Sequence, residues 1–236
     1  MLKLNFDAKL DFQIDAINSV VDLFKGQVRR SFDYTFQIVP NQLDLSDEKI
    51  FENLLEVQSK NGLPLSNADD LQKPYNWTIE METGTGKTYV YLRTILELNQ
   101  KYGFTKFIIV VPSVAIKEGV LKTLDITREH FKQLYDNLPY TYFSYNSDNL
   151  VMVRMFGQDT NLQIMIITKD AFNKDINIIH NVHDKIGDKP IEIIKKTRPI
   201  VILDEPQKMG GEATSWGIEQ LNPLFVALFC NSQRYL

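Results

Sequence analysis

The stretch WTIEMETGTGKTYVYLRTILELNQKYG, Trp77 to Gly103, decides the fold. It reads as a short strand, WTIEM, a glycine-bearing turn, ETGTGKT, and a helix that begins at the end of that turn. Strand, loop and helix in that order are the setting of a phosphate-binding loop. Gly84 and Gly86 let the backbone turn tightly and bring the amides of Thr83, Gly84, Thr85 and Gly86 toward an anion. Lys87 adds a mobile positive charge for the outer phosphates of ATP, and the Thr88 hydroxyl, in the first turn of the helix, can ligate Mg2+. The pattern G-x-x-x-x-G-K-[ST] has one departure, because its first position is Met81. The plain alternative is a Gly-Thr-Gly turn capping a helix, with Lys87 solvated; the strand-loop-helix order favours the nucleotide.

Working outward, further short apolar runs follow: KFIIVV (Lys106 to Val111), LQIMIIT (Leu162 to Thr168) and PIVIL (Pro199 to Leu203), with YTYFSYN as a further candidate strand. Most are continuous rather than alternating, as strands covered on both faces require, and helical stretches separate them. The expectation is an α/β fold with a mainly parallel sheet flanked by helices. Upstream, DFQIDAINSVVDLFKGQ places Phe12, Ile14, Ile17, Val20, Val21 and Phe24 at helical spacing, and Gly26 ends the pattern. A second helix is expected over SDEKIFENLLEVQSK, with Ser46 as N-cap and Asp47 and Glu48 in its first turn. The chain divides on this reading into an amino-terminal helical segment over 1–75 and a nucleotide-binding domain over 76–236.

A phosphate loop alone indicates nucleotide; hydrolysis also needs acids near the metal. PIVILDEPQ supplies them, because a buried strand ending at Asp204 and Glu205 delivers both to the carboxyl edge of the sheet, where ligands of open α/β folds bind. Asp204 can hold Mg2+, mostly through water, and Glu205 can orient or deprotonate the attacking water. Taken alone, an acidic pair after a strand is an ordinary loop start; downstream of a phosphate loop the catalytic reading is preferred.

Composition narrows the class. Over 236 residues, 44% hydrophobic and 24% charged, the chain is that of a folded soluble protein. A net charge of −4 offers no global positive field for nucleic acid, so any such contact is local. Arg29 with Arg30, and Lys195 with Lys196, read as solvated surface. The single cysteine, Cys230, excludes an internal disulfide, and the charged start MLKLNFDAKLDF lacks the apolar core of a signal peptide. No apolar run approaches the ~20 residues of a membrane span, and a cytoplasmic location is expected. His180 and His183 lack a third ligand nearby and are set aside as a metal pair.

Together the two motifs resemble superfamily 2 helicases and translocases, and more closely the restriction (Res) subunit of type III restriction-modification enzymes. The similarity runs over most of Phe12 to Met209, and the Asp-Glu-Pro-Gln form of the acidic box is its more specific marker. The resemblance implies a RecA-like domain in which Lys87 and Thr88 contact phosphate and magnesium, Asp204 and Glu205 form the hydrolytic pair, and Gln207 senses the γ-phosphate. It also implies that Pro112 and Ser113, in VVPSVAIKEG, lie beside a DNA backbone, that Thr168 is a further backbone contact, and that Gln13, in DFQIDAI, reads adenine. Ser113 is equally a helix N-cap, and both roles can hold at once. Hydroxyl and amide contacts of this kind suit a motor that holds DNA without reading its sequence.

The resemblance implies partners as well: DNA, a modification methyltransferase (Mod) subunit, and a second motor domain and nuclease domain. Only 27 residues follow Met209, the Ser-Ala-Thr segment of the next strand is absent, and LFVALFCNSQRYL does not resemble the family. The expectation is therefore an incomplete motor that binds nucleotide weakly and hydrolyses it very slowly, since an arginine finger from a partner domain can be worth about 10³ to 10⁵ in rate. Two other readings stay open: an unrelated P-loop ATPase or nucleotide kinase, and a remnant without catalysis.

Overall fold

The computed structural model describes residues 6–30, 37–148, 150–171, 178–182 and 187–231. In chain order the elements are α1 (Asp11–Val21), α2 (Asp47–Lys60), β1 (Tyr75–Met81), α3 (Lys87–Tyr102), β2 (Lys106–Val111), α4 (Val114–Leu134), β3 (Tyr140–Ser144), α5 (Val151–Gln158), β4 (Leu162–Thr168), α6 (Pro190–Thr197), β5 (Ile200–Asp204), α7 (Glu212–Gln220) and β6 (Phe225–Asn231). The strands form one six-stranded sheet in the order β1-β6-β5-β2-β4-β3. Every pairing in it is parallel. With helices on both faces this is an α/β, RecA-like architecture.

Alternation within the apolar runs explains the layering. Phe107, Ile109 and Val111 of β2, Ile164 and Ile166 of β4, and Ile200 and Ile202 of β5 face a core shared with α1, α2, α3 and α4. The intervening Ile108, Val110, Met165, Ile167, Val201 and Leu203 face a second core with α5 and α6. Each such side chain taken out of water contributes about 1.5–3 kcal/mol, which is why a continuous apolar run is stable only in the middle of a covered sheet. At the sheet's edge β1 alternates: Tyr75 and Met81 are buried, whereas Asn76, Thr78 and Glu80 are exposed.

The helix signals hold. Ser46 caps α2, its hydroxyl accepting from the Lys49 amide at 3.3 Å, a bond worth about 1 kcal/mol. Gly26 adopts a positive φ of 98° just beyond α1 and its short 3-10 extension. Of the basic pairs, Arg30 lies 2.5 Å from Asp44 and Lys195 3.4 Å from Glu192.

The sixth strand is a difference from the sequence reading. LFVALFCN enters the sheet as β6, between β1 and β5, with Phe225, Ala227 and Phe229 in the larger core. Its FVALF run has the apolar, aromatic composition of a buried strand. Residues 232–236 of that ending lie outside the described residues. Among the described residues no helix is long and apolar enough to cross a membrane.

Candidate active site

Parallel register aligns the carboxyl ends of the strands. Met81 pairs with Asn231, Asp204 with Phe229, Leu203 with Val110, and Val111 with Thr168. The turns that follow β1, β5, β2 and β4 therefore share one edge of the sheet, and every candidate residue downstream of Met81 lies along it.

The loop after β1 has the backbone its glycines foretell. Gly84 and Gly86 hold φ of 81° and 85°, a left-handed conformation costly for any side chain. Met81, by contrast, is the last residue of β1, paired in the sheet and buried. At that position the chain is still extended and its side chain enters the core, so the missing first glycine of the motif has a physical explanation. Within the loop the Thr85 hydroxyl donates to the Glu82 carbonyl at 2.6 Å, and the Lys87 ammonium donates to the same oxygen at 3.3 Å. Thr83, Gly84 and Gly86 are exposed.

Gln13 reaches this loop from α1. Its buried Nε2 donates to the Thr85 carbonyl at 2.8 Å, and a Cβ built on Gly86 would fall 2.8 Å from that nitrogen. Glycine at 86 is required by its φ, and any side chain there would also displace the amide tip of Gln13.

Across the edge, Asp204 ends β5 only 5% exposed. Burial pushes its carboxyl up to about 6, while the Tyr91 hydroxyl and the charges of Lys87 and Lys208 work in the other direction. Glu205 follows in the left-handed region, φ 57° and ψ 57°, a conformation that costs a non-glycine residue about 1 kcal/mol or more and that clusters at functional sites. Its amide donates to the Phe229 carbonyl at 3.1 Å, and the Lys208 ammonium lies 2.7 Å from its Oε2. Gln207 is exposed on the short 3-10 turn Pro206–Lys208.

Tyr91 joins the two halves and was absent from the sequence reading. From α3 its buried hydroxyl donates to Asp204 Oδ2 at 3.2 Å. Three residues earlier on the same face of that helix stands Thr88. The signal that could have found it is a polar-tipped aromatic one turn beyond the motif's threonine. Thr88 and Asp204 are hard oxygen donors of the kind Mg2+ takes, and a buried carboxylate whose burial opposes its charge gains from a cation beside it, so the residues present fit that ion.

On the same edge Ser113 caps α4, its hydroxyl accepting from the Ile116 amide at 3.4 Å while the residue stays exposed. The Val111–Thr168 pairing sets Pro112, Ser113 and Thr168 side by side. The His180 ring packs on Trp216 at 5.3 Å, and His183 lies outside the described residues.

Comparison with known proteins adds independent findings. The family model described as "Type III restriction enzyme, res subunit" matches residues 9–226. The chain is 28% identical to the EcoPI Res subunit of the type III restriction-modification enzyme of Escherichia phage P1, a match covering 94% of this chain and 25% of that protein. It is 27% identical to the EcoP15I Res subunit of Escherichia coli, covering 93% and 25%, and 32% identical to the StyLTI Res subunit of Salmonella typhimurium, covering 65% and 18%. The chain thus spans about a quarter of the length of the first two of these relatives. Among solved structures, the UvsW helicase from bacteriophage T4 overlaps 88% of the chain and 64% of its own, with TM-score 0.44 and 13% identity.

Proposed function

We propose a function from one premise, that this chain belongs to the type III restriction enzyme res subunit family: it is an ATP-binding motor domain of a DNA translocase. The observation that supports it most is the register of β6 between β1 and β5, with the phosphate loop and the Asp204–Glu205 pair ending on one sheet edge and Tyr91 reaching from one to the other.

In this reading the amides of Thr83 through Gly86 hold the phosphates of ATP, and the Lys87 ammonium leaves the Glu82 carbonyl for them. Thr88 and Asp204 hold Mg2+, which supplies charge neutralisation at the phosphates. Glu205 takes a proton from the attacking water, and Lys208 fixes the direction of its carboxylate. Gln207 senses the γ-phosphate from the turn beside it. Gln13, already on the Thr85 carbonyl, couples occupancy of the adenine side to the shape of the loop. Pro112, Ser113 and Thr168 meet a DNA backbone on the adjoining stretch of edge.

The second motor domain, the nuclease and the contact with the Mod subunit belong, on this proposal, to the three quarters of the relatives' length that this chain does not span. The test is duplex DNA binding followed by fluorescence polarisation. A non-hydrolysable ATP analogue with Mg2+ is expected to tighten binding of the native chain about tenfold, within the usual span of coupling between two sites. Lys87→Ala is expected to lose the tightening. Equal DNA affinity with and without nucleotide in the native chain contradicts the reading.

A further inference from the structure

We propose that Tyr91 is a positioning residue for the magnesium-side pair, its buried hydroxyl holding the Asp204 carboxylate against the helix that carries Thr88. This rests on the nucleotide reading above and goes beyond it, since no motif contains Tyr91.

Geometry carries the inference. Tyr91 is 0% exposed, and its ring meets Phe229 of β6 edge-on at 5.6 Å. Phenylalanine would fill that place as well, and a buried hydroxyl is unfavourable unless it is hydrogen-bonded. The hydrogen bond it makes is to Asp204 Oδ2 at 3.2 Å, and Thr88 stands i,i+3 from it on α3. Sheet pairing alone separates β1, which leads into α3, from β5 by the width of β6, so the phenol is a direct polar link between the phosphate-loop helix and the end of β5. A phenol is protonated at neutral pH, so it is a donor to the carboxylate there.

A group that orients metal ligands typically accounts for about 10- to 100-fold in metal affinity. Tyr91→Phe keeps the ring packing and deletes the hydroxyl. The assay is titration of the whole chain with the fluorescent nucleotide mant-ADP, in Mg2+ and in EDTA, beside thermal melting. The native chain binds more tightly in Mg2+. Tyr91→Phe is expected to lose about tenfold of that enhancement while its affinity in EDTA stays unchanged. Phe229→Leu disturbs the same ring and keeps the hydroxyl; it is expected to melt lower with the Mg2+ enhancement intact.

Full enhancement in Tyr91→Phe overturns the proposal. So does an equal loss in Mg2+ and EDTA, which means a displaced loop, and so does an equal loss of enhancement in Phe229→Leu, which means packing. If the native chain fails to bind mant-ADP, or Lys87→Ala binds it equally well, the nucleotide reading itself falls and Tyr91 falls with it.

Discussion

Lys87→Ala is expected to weaken binding of ATP by about a hundredfold while the fold stays intact. The lysine is half-buried at the start of α3, and its ammonium donates to the Glu82 carbonyl, an oxygen of the same loop. Removing it breaks no buried hydrogen bond and takes one favourable charge from the vicinity of the buried Asp204, so the melting temperature should move only slightly. A phosphate in the loop, by contrast, loses a charge-assisted bond worth about 2–3 kcal/mol, and at ~1.4 kcal/mol per tenfold that is close to two decades in affinity. Isothermal titration against ATP with Mg2+ reads the change directly. An unchanged affinity would mean that the loop's glycines serve only to cap a helix.

Glu205→Gln separates binding from chemistry. The substitution preserves shape and leaves the phosphate loop untouched, but an amide cannot accept a proton from water. Turnover is expected to fall about 10²- to 10⁴-fold, the usual contribution of a general base, with affinity for ATP unchanged. The measurement is release of labelled phosphate in single turnover, with protein in excess. The left-handed backbone at 205 is a useful control here: Glu205→Gly relieves the strain, so that variant should melt no lower than Glu205→Gln while hydrolysing no better.

Much of this was legible in the sequence because the decisive signals are local. A continuous run such as KFIIVV has few stable settings other than a covered strand, and the structure places β2 over the same Lys106–Val111. Gly84 and Gly86 announce positive φ by being the residues that adopt it without penalty. Ser46 and Ser113 are caps readable from the residues that follow them. What the sequence hid depends on contacts distant along the chain. β6 is a strand because Phe225, Ala227 and Phe229 find a core built by α1 and α3 more than a hundred residues earlier. Tyr91 looks like any helix-face aromatic until β5 brings Asp204, 113 positions away, to its hydroxyl. Gln13 lies 72 positions from the carbonyl it holds. Met81 departs from the motif at the strand end the sequence already marks; what the fold adds is its burial and its pairing with Asn231.

The central claim is that the turn from Glu82 to Thr88 holds the phosphates of ATP, and amide NMR of the labelled chain tests it most directly. Titration with ADP and Mg2+ is expected to shift the amides of Gly84, Thr85, Gly86, Lys87 and Thr88 first and furthest, saturably, with no such shifts in Lys87→Ala. Saturable shifts confined to another place, such as the groove at the opposite edge lined by Leu45, Asp47, Lys73 and Tyr75, or none in the loop at millimolar nucleotide, would contradict it.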